Sequence, residues 1–220
     1  THDHVVNREA LDWVRGLLPE MRGGIDSKAG FPSLHLFTRE KGSPALLLAA
    51  HIDVVEGSEE DFVPYEKEGR LCGRGAFDMK FAIAAYITAL KGLGPDLGSA
   101  DVGLLITSDE EVGGFNGTKA FVDGGANPGL VILPDGSDNW GFEEVSKGVW
   151  HLRVGSEGKS GHGAYPWEGD NAIDKILSFL GDIGSLFPSE PCGDGEHRHA
   201  TMNIGKIEGG LSANRIPERA

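Results

Sequence analysis

The sequence predicts an α/β protein whose mostly parallel sheet is flanked by helices, followed by a smaller α+β unit. Three continuous apolar runs of strand length alternate with helix-like segments over the first two thirds of the 220 residues. Such alternation is typical of a parallel sheet that is buried on both faces. From about residue 147, apolar and polar residues alternate instead, as in half-solvated antiparallel strands. We therefore predict one domain at residues 1–146 and a second at 147–220.

The predicted first domain opens with a helix, "DHVVNREALDWVRGLL", whose apolar residues recur at helical spacing behind a possible Asp3 cap. A short strand is predicted at "SLHLF", and buried strands are predicted at "ALLLAAHIDVV", "DVGLLITS" and "GLVILPD". Two further helices are predicted at "AFDMKFAIAAYITALKGLG" and "GTKAFVDGG", and glycines end both of them. In the second domain, alternating strands at "GVWHLRVGSEG" and "ATMNIGKIEGG" flank the predicted helix "NAIDKILSFLGDIGSLF".

Composition excludes some classes of partner. The formal net charge is −14, whereas nucleic acids and anionic membranes require basic surfaces, so we expect neither as a partner. No apolar run reaches the length of a membrane span. No signal or transit sequence is visible, which predicts a cytoplasmic protein, although the chain begins at Thr1 rather than at methionine. Cys72 and Cys192 are too few for a disulfide framework or a thiolate zinc site, so a metal would need oxygen and imidazole ligands.

Side chains of the kind that bind metal ions follow all three buried runs, and one more stands at the start of the long helix. Because the carboxyl ends of parallel strands meet at one edge of a sheet, we expect these side chains to lie close together. The set comprises His51, Asp53, Asp78, Asp109, Glu110, Glu111 and Asp135.

Each feature taken alone also has a purely structural explanation. His51 and Asp53 share a face of their strand, so Asp53 can accept a hydrogen bond from one ring nitrogen and leave the other for a metal. Taken alone, the pair is better explained as a polar strand end. Asp78 suits a helix cap, and Asp135 suits a turn. Together, however, one imidazole and several carboxylates at one edge suit two divalent ions with a bridging carboxylate and a water between them. Adjacent glutamates can then divide metal binding and general-base catalysis.

Five ordered blocks resemble a known family. "HIDVV", "GRGAFDMK", "TSDEEVGG", "GKSGHGAYPWEGDNAI" and "NIGKIEGGLSANRIP" resemble, in that order, the di-zinc metallohydrolases. These include aminoacylase, succinyl-diaminopimelate desuccinylase, acetylornithine deacetylase and glutamate carboxypeptidase. The resemblance runs from about residue 45 to residue 217.

The resemblance implies a role for six of the seven candidate residues of the first domain, and Asp109 is expected to have a supporting role at most. Cobalt or manganese also suits the implied ligands of the two zinc ions. A cis peptide bond between Asp78 and Met79 is implied as well. The implied roles are His51 and Asp135 as ligands of the first zinc, Asp78 as the bridge, Glu111 as a ligand of the second zinc, Glu110 as the general base and Asp53 as the residue that orients His51.

For the second domain, the resemblance implies a lid that also forms a homodimer. His162 would donate to the oxyanion in the partner's active site, although a plain loop histidine also explains it. Asn214 would contact the carboxylate of the substrate. Family members are longer and supply a final histidine to the second zinc, so we expect this chain to be truncated within the lid, leaving the lid incomplete.

The expected function is metal-dependent hydrolysis of an amide bond in an N-acyl amino acid or small peptide. The alternative is a non-catalytic or inactive truncated homologue that serves as a dimerisation or ligand-binding module. The intact glutamate pair Glu110–Glu111 favours the enzyme.

Overall fold

A computed structural model describes residues 3–39, 43–135, 141, 142, 144, 146–187 and 199–220. The chain divides into two compact units, Thr1–Phe142 and Glu143–Ala220. The division falls a few residues before the predicted boundary at residue 146, and the catalytic and lid roles of the two units stay predictions. Cys192 lies outside the described residues.

The first unit is built on a five-stranded sheet with the order β1-β2-β6-β3-β7. Strand β3 lies between β6 and β7 and pairs in parallel with both, while β2 runs antiparallel to β6 and to β1. The predicted α/β class is therefore confirmed, with an antiparallel hairpin added at one edge. The sheet strands are β1 (Arg22–Lys28), β2 (Phe31–Phe37), β3 (Leu46–His51), β6 (Val102–Thr107) and β7 (Leu130–Ile132), and a separate hairpin consists of β4 (Tyr65–Lys67) and β5 (Arg70–Cys72).

Helices α1 (His4–Gly16), α2 (Phe81–Gly92) and α3 (Thr118–Asp123) confirm the three helices predicted for this unit. Asp3 caps α1, because its carboxylate accepts hydrogen bonds from the backbone amides of Val5 and Val6. The long helix predicted from residue 76 is interrupted: a separate helical turn, Ala76–Lys80, precedes α2 and has non-helical backbone angles at Asp78 and Met79. This interruption turns Asp78 out of the regular helix.

The core lies where α1 and α2 pack on the sheet, and it confirms that β3 and β6 are buried. The burial predicted for "GLVILPD" is wrong, since β7 keeps its side chains exposed. Within the described residues, β7 pairs with β3 alone, so its apolar run lies at the edge of the sheet. The largest side chains that are fully buried in this unit include Leu11, Leu18, Leu34, Leu36, Leu90, Leu104 and Ile106.

In the second unit, α4 (Ala172–Gly184) confirms the predicted helix, and the side chain of Asn171 caps it. The two predicted strands, "GVWHLRVGSEG" and "ATMNIGKIEGG", are wrong: the first segment forms a single isolated bridge, from Glu157 to Arg219, and the second is described throughout without a strand or a bridge. A strand requires a hydrogen-bonded neighbour and a face to bury. The apolar side chains of the first segment have no such face, since Trp150 is 85% exposed.

Candidate metal centre

The centre begins with His51, the last residue of β3. Its ring is buried, with an exposed fraction of 1%. Nδ1 lies 3.0 Å from the main-chain oxygen of Asp53, and since a carbonyl can only accept, Nδ1 carries the proton and donates to it. Nε2 faces the opposite way, 3.0 Å from Asp78 Oδ1 and 3.7 Å from Asp135 Oδ2. The second ring nitrogen of His51 is therefore directed at two carboxylates.

These three side chains come from three separate elements. His51 is the last residue of β3, Asp78 lies in the irregular turn before α2, and Asp135 lies three residues after the end of β7. One ligand atom of each lies within 4.8 Å of the other two. An imidazole nitrogen and two carboxylate oxygens this close together fit the donor set that zinc, cobalt or manganese takes in proteins. The peptide bond between Asp78 and Met79 is cis, which confirms that expectation.

The carboxylate of Asp53 contacts the glutamate segment more closely than it contacts His51. Its Oδ1 lies 3.5 Å from His51 Nδ1, farther than the main-chain oxygen of the same residue. The two carboxylate oxygens instead accept hydrogen bonds from the backbone amides of Glu110, at 3.3 Å, and Glu111, at 3.0 Å. Asp53 thus joins the end of β3 to the turn that carries both glutamates.

Glu110 and Glu111 lie in a short 3₁₀ turn, Glu110–Val112, that follows β6. The side chain of Glu111 accepts a hydrogen bond from the backbone amide of Val55 at 3.2 Å. It is not among the three side chains whose ligand atoms converge. The structure therefore brings His51, Asp78 and Asp135 together and places the two glutamates on an adjacent turn.

Electrostatics at this centre favour an added cation. Burial lowers the pKa of His51, but the hydrogen bond and charge of Asp53 and the charge of Asp135 outweigh burial and raise that pKa from 6.5 to about 9. Burial and repulsion from neighbouring carboxylates raise the pKa values of Glu110, Glu111 and Asp135, and the charge of His51 offsets part of this rise. Glu110 remains in contact with solvent, so its desolvation is partial. A bound cation would relieve the repulsion and displace the His51 proton.

Lys80 is a charged neighbour that the sequence pattern did not single out. Burial lowers the pKa of its ammonium group, and the charges of Asp53, Asp78 and Glu111 oppose that effect. In the sequence, the position of Lys80 two residues after Asp78 is the one hint that it lies near the metal centre. The helix predicted over this segment already accounts for a lysine there.

Asp109 is buried completely and stabilises the loop after β6. Its Oδ2 accepts hydrogen bonds from the backbone amides of Asn116, at 2.6 Å, and Gly117, at 3.1 Å. A β-carbon at Gly117 would lie 2.4 Å from Asp109 Oδ1 and 2.7 Å from the β-carbon of Thr107. The loop therefore closes on Asp109 only with glycine at position 117.

In the second unit, His162 and Asn214 lie on two segments that pair with each other. The backbone amide of Gly163 donates to the main-chain oxygen of Asn214 at 2.8 Å, and the backbones of His162 and Arg215 form an isolated antiparallel β-bridge. His162 Nδ1 accepts a hydrogen bond from the amide of Ala164 at 3.1 Å, so the proton of the neutral ring lies on Nε2.

Arg215, which the sequence left without a role, ties these two segments together. Its Nε donates to Ser160 Oγ at 2.6 Å, and its guanidinium pairs with Glu218 at 3.2 Å. Both partners belong to the second unit, and the arginine therefore has a structural role in the described residues.

Fold and site together define an α/β protein with a candidate metal centre at the carboxyl edge of its parallel strands. The sequence pattern of peptidase family M20/M25/M40 matches residues 47–178, which is more than half of the chain, and that of the peptidase dimerisation domain matches residues 145–220. The chain belongs to this peptidase family, which confirms the suspected resemblance.

Similar proteins agree with this assignment. A probable carboxypeptidase from Aspergillus terreus is 35% identical over 198 residues, covering 81% of this chain and 43% of that protein. The chain thus spans less than half the length of this relative. Two solved structures share the fold: an M20 metallo-carboxypeptidase from Sulfolobus solfataricus (TM-score 0.61, 14% identity, 98% of this chain and 64% of that one) and human carnosine dipeptidase 1 (TM-score 0.58, 17% identity, 96% and 60%).

Among the described residues, none of the helices combines the length and apolar character needed to cross a membrane.

Replacing Gly117 with alanine tests the role of Asp109. The added β-carbon must push against Thr107 and the buried carboxylate, so we expect Gly117→Ala to lower the free energy of unfolding by about 1–3 kcal/mol, measured by urea denaturation. Gly98→Ala is the matched control, because a β-carbon there meets no atom within 4 Å. Equal stability of the two variants would contradict the proposed packing.

Proposed function

We propose that this chain carries the metal site of a hydrolase that cleaves the amide bond of a small peptide or an N-acyl amino acid. The convergence of His51, Asp78 and Asp135 beside the glutamate turn carries the proposal. Membership of a peptidase family supports it, as does the similarity to a probable carboxypeptidase. The substrate is a small molecule, with no role for nucleic acid or a membrane.

The donor set suggests how the residues divide. His51 and Asp135 would hold one ion, Glu111 the other, and Asp78 both, with zinc as the first choice and cobalt or manganese as substitutes. Bound ions of this kind lower the pKa of a water molecule and polarise a carbonyl group. The main-chain oxygen of Asp53 accepts a hydrogen bond from His51 Nδ1, which leaves Nε2 available as a ligand.

Glu110 is the residue we assign as general base. Its backbone is fixed by the carboxylate of Asp53, and its side chain remains in contact with solvent. Within the part of the chain that the structure describes, that side chain makes no hydrogen bond that would hold it away from a water molecule. Partial burial and neighbouring carboxylates raise its pKa, which makes it a better proton acceptor. Glu110 would take a proton from the attacking water and return it to the leaving amine.

His162 and Asn214 are the residues we assign to substrate contacts. Because the proton of neutral His162 lies on Nε2, that atom is available to donate to the oxyanion that forms when water attacks the carbonyl. Asn214 would bind the carboxylate of the substrate. The match to a peptidase dimerisation domain supports a homodimer in which His162 acts in the partner's site.

Glu110→Ala tests the assignment of the general base. We expect hydrolysis of N-acyl amino acids or dipeptides by the full-length protein to fall by about 10²- to 10⁴-fold, because the proton acceptor is lost. Metal content, measured by atomic emission, should stay near that of the wild type, since Glu110 is not a proposed ligand.

Glu9→Ala on the exposed face of α1 is the control and should keep full activity. Retained activity in Glu110→Ala would refute the role of this residue. A wild-type protein that binds one ion or none and hydrolyses no amide would instead favour a dimerisation or ligand-binding module.

The oligomeric state tests the second unit. Sedimentation equilibrium of the full-length protein at micromolar concentration should give the mass of two copies, as a dimerisation domain implies. A single-copy mass across that range would remove the basis for placing His162 in a partner's site.

A further inference from the structure

The strand that leads to Asp135 is the least supported of those that lead to the metal centre. The parallel pairing of β3 with β6 continues to His51 and Thr107, the last residues of both strands. The pairing of β3 with β7 covers only three residues and ends at Leu48 and Ile132. Asp135 therefore lies three residues beyond the last sheet hydrogen bonds that hold its strand, and the side chain of Ile132 is 42% exposed.

A tyrosine hydroxyl from α2 meets the sheet at this point. Tyr86 is buried, with an exposed fraction of 7%. Its hydroxyl donates to the main-chain oxygen of Ile132 at 2.8 Å and also lies 3.2 Å from that of Ala49. Ala49 precedes His51 by two residues, and Ile132 precedes Asp135 by three. The single hydroxyl thus connects the two strands that deliver these side chains, at the end of their paired segment.

Helix α2 also connects Tyr86 to Asp78, the third side chain of the metal centre. The irregular turn that carries Asp78 runs directly into α2, which carries Tyr86. The ring of Tyr86 belongs to the hydrophobic core, so the hydroxyl is held in place by packing. Burial raises the pKa of Tyr86 to about 12, which keeps the hydroxyl protonated and able to donate.

We propose that Tyr86 is a positioning residue for the metal centre: its hydroxyl fixes the strand of Asp135 against the strand of His51 so that both can bind the same ion. This inference rests on the metal site put forward above. An ordinary core tyrosine would affect stability alone, whereas a positioning residue must also affect the affinity for metal and the geometry around it.

Tyr86→Phe is the test, because it removes only the hydroxyl and keeps the ring in the core. We expect the affinity for Zn²⁺, measured by competition with a chromophoric chelator, to fall about tenfold or more, the size of effect seen when groups that orient metal ligands are lost. The visible absorption of the Co²⁺-loaded protein should change as well, since the ligand field depends on the position of Asp135.

Two controls separate the hydroxyl from packing. Tyr65→Phe makes the same chemical change at a tyrosine that is 57% exposed, and it should leave affinity and spectrum unchanged. Ile83→Val shortens a buried side chain of the same helix, so it should lower the free energy of unfolding without altering the affinity for Zn²⁺. Tyr86→Met, which also lacks the hydroxyl, guards against an unexpected folding defect in Tyr86→Phe and should weaken the binding in the same way.

The outcomes are distinct. Wild-type affinity and an unchanged Co²⁺ spectrum in either Tyr86 variant would overturn the inference while leaving the proposed function in place. A wild-type protein that binds no Zn²⁺ would contradict the proposed function itself, and the inference would fall with it.

Discussion

The carboxylate of Asp53 is the interaction on which the candidate site depends. A buried charge is costly unless it is hydrogen-bonded, and Asp53 meets that requirement by accepting from the backbone amides of Glu110 and Glu111. These bonds are possible because β3 and β6 run in parallel and end side by side, with His51 opposite Thr107. The loop after one strand is thereby fixed to the loop after its neighbour. The imidazole and the glutamates keep their relative positions through one side chain.

Charge explains why the rest of the centre is arranged as it is. Several carboxylates meet a single buried imidazole, and burial together with their mutual repulsion raises the pKa values of Glu110, Glu111 and Asp135. Repulsion between carboxylates destabilises the folded protein, but a divalent cation bound between them would attract each one. Around the centre, backbone amides bind one carboxylate oxygen of Asp109, and main-chain oxygens accept from His51 and Tyr86. The protein thus gathers negative charge where a cation would bind.

How far the sequence predicts this structure depends on whether a feature is local. The strands β3 and β6 were predictable because their runs are apolar throughout, as burial on both faces requires. The strand β7 has the same composition yet is exposed, since burial depends on what covers a strand and not on the strand itself. The hairpin strand β1, "RGGIDSK", was missed because only one of its residues is large and apolar, so pairing with β2 alone defines it. His51 and Asp135 are predictable from the rule that parallel strands deliver their ends to one edge, and Asp78 from its position at the start of the helix that follows β3. The bonds of Asp53 to distant amides and of Tyr86 to distant carbonyls use backbone groups, which every residue has, so no sequence pattern reports them.

The central claim is that one ion binds where His51, Asp78 and Asp135 converge. Anomalous diffraction at the zinc absorption edge, from crystals of the protein grown with Zn²⁺, tests it most directly. We expect a peak about 2.0–2.2 Å from His51 Nε2 and from a carboxylate oxygen of both Asp78 and Asp135. Zinc bound elsewhere on the protein, with no peak in contact with His51, would contradict it.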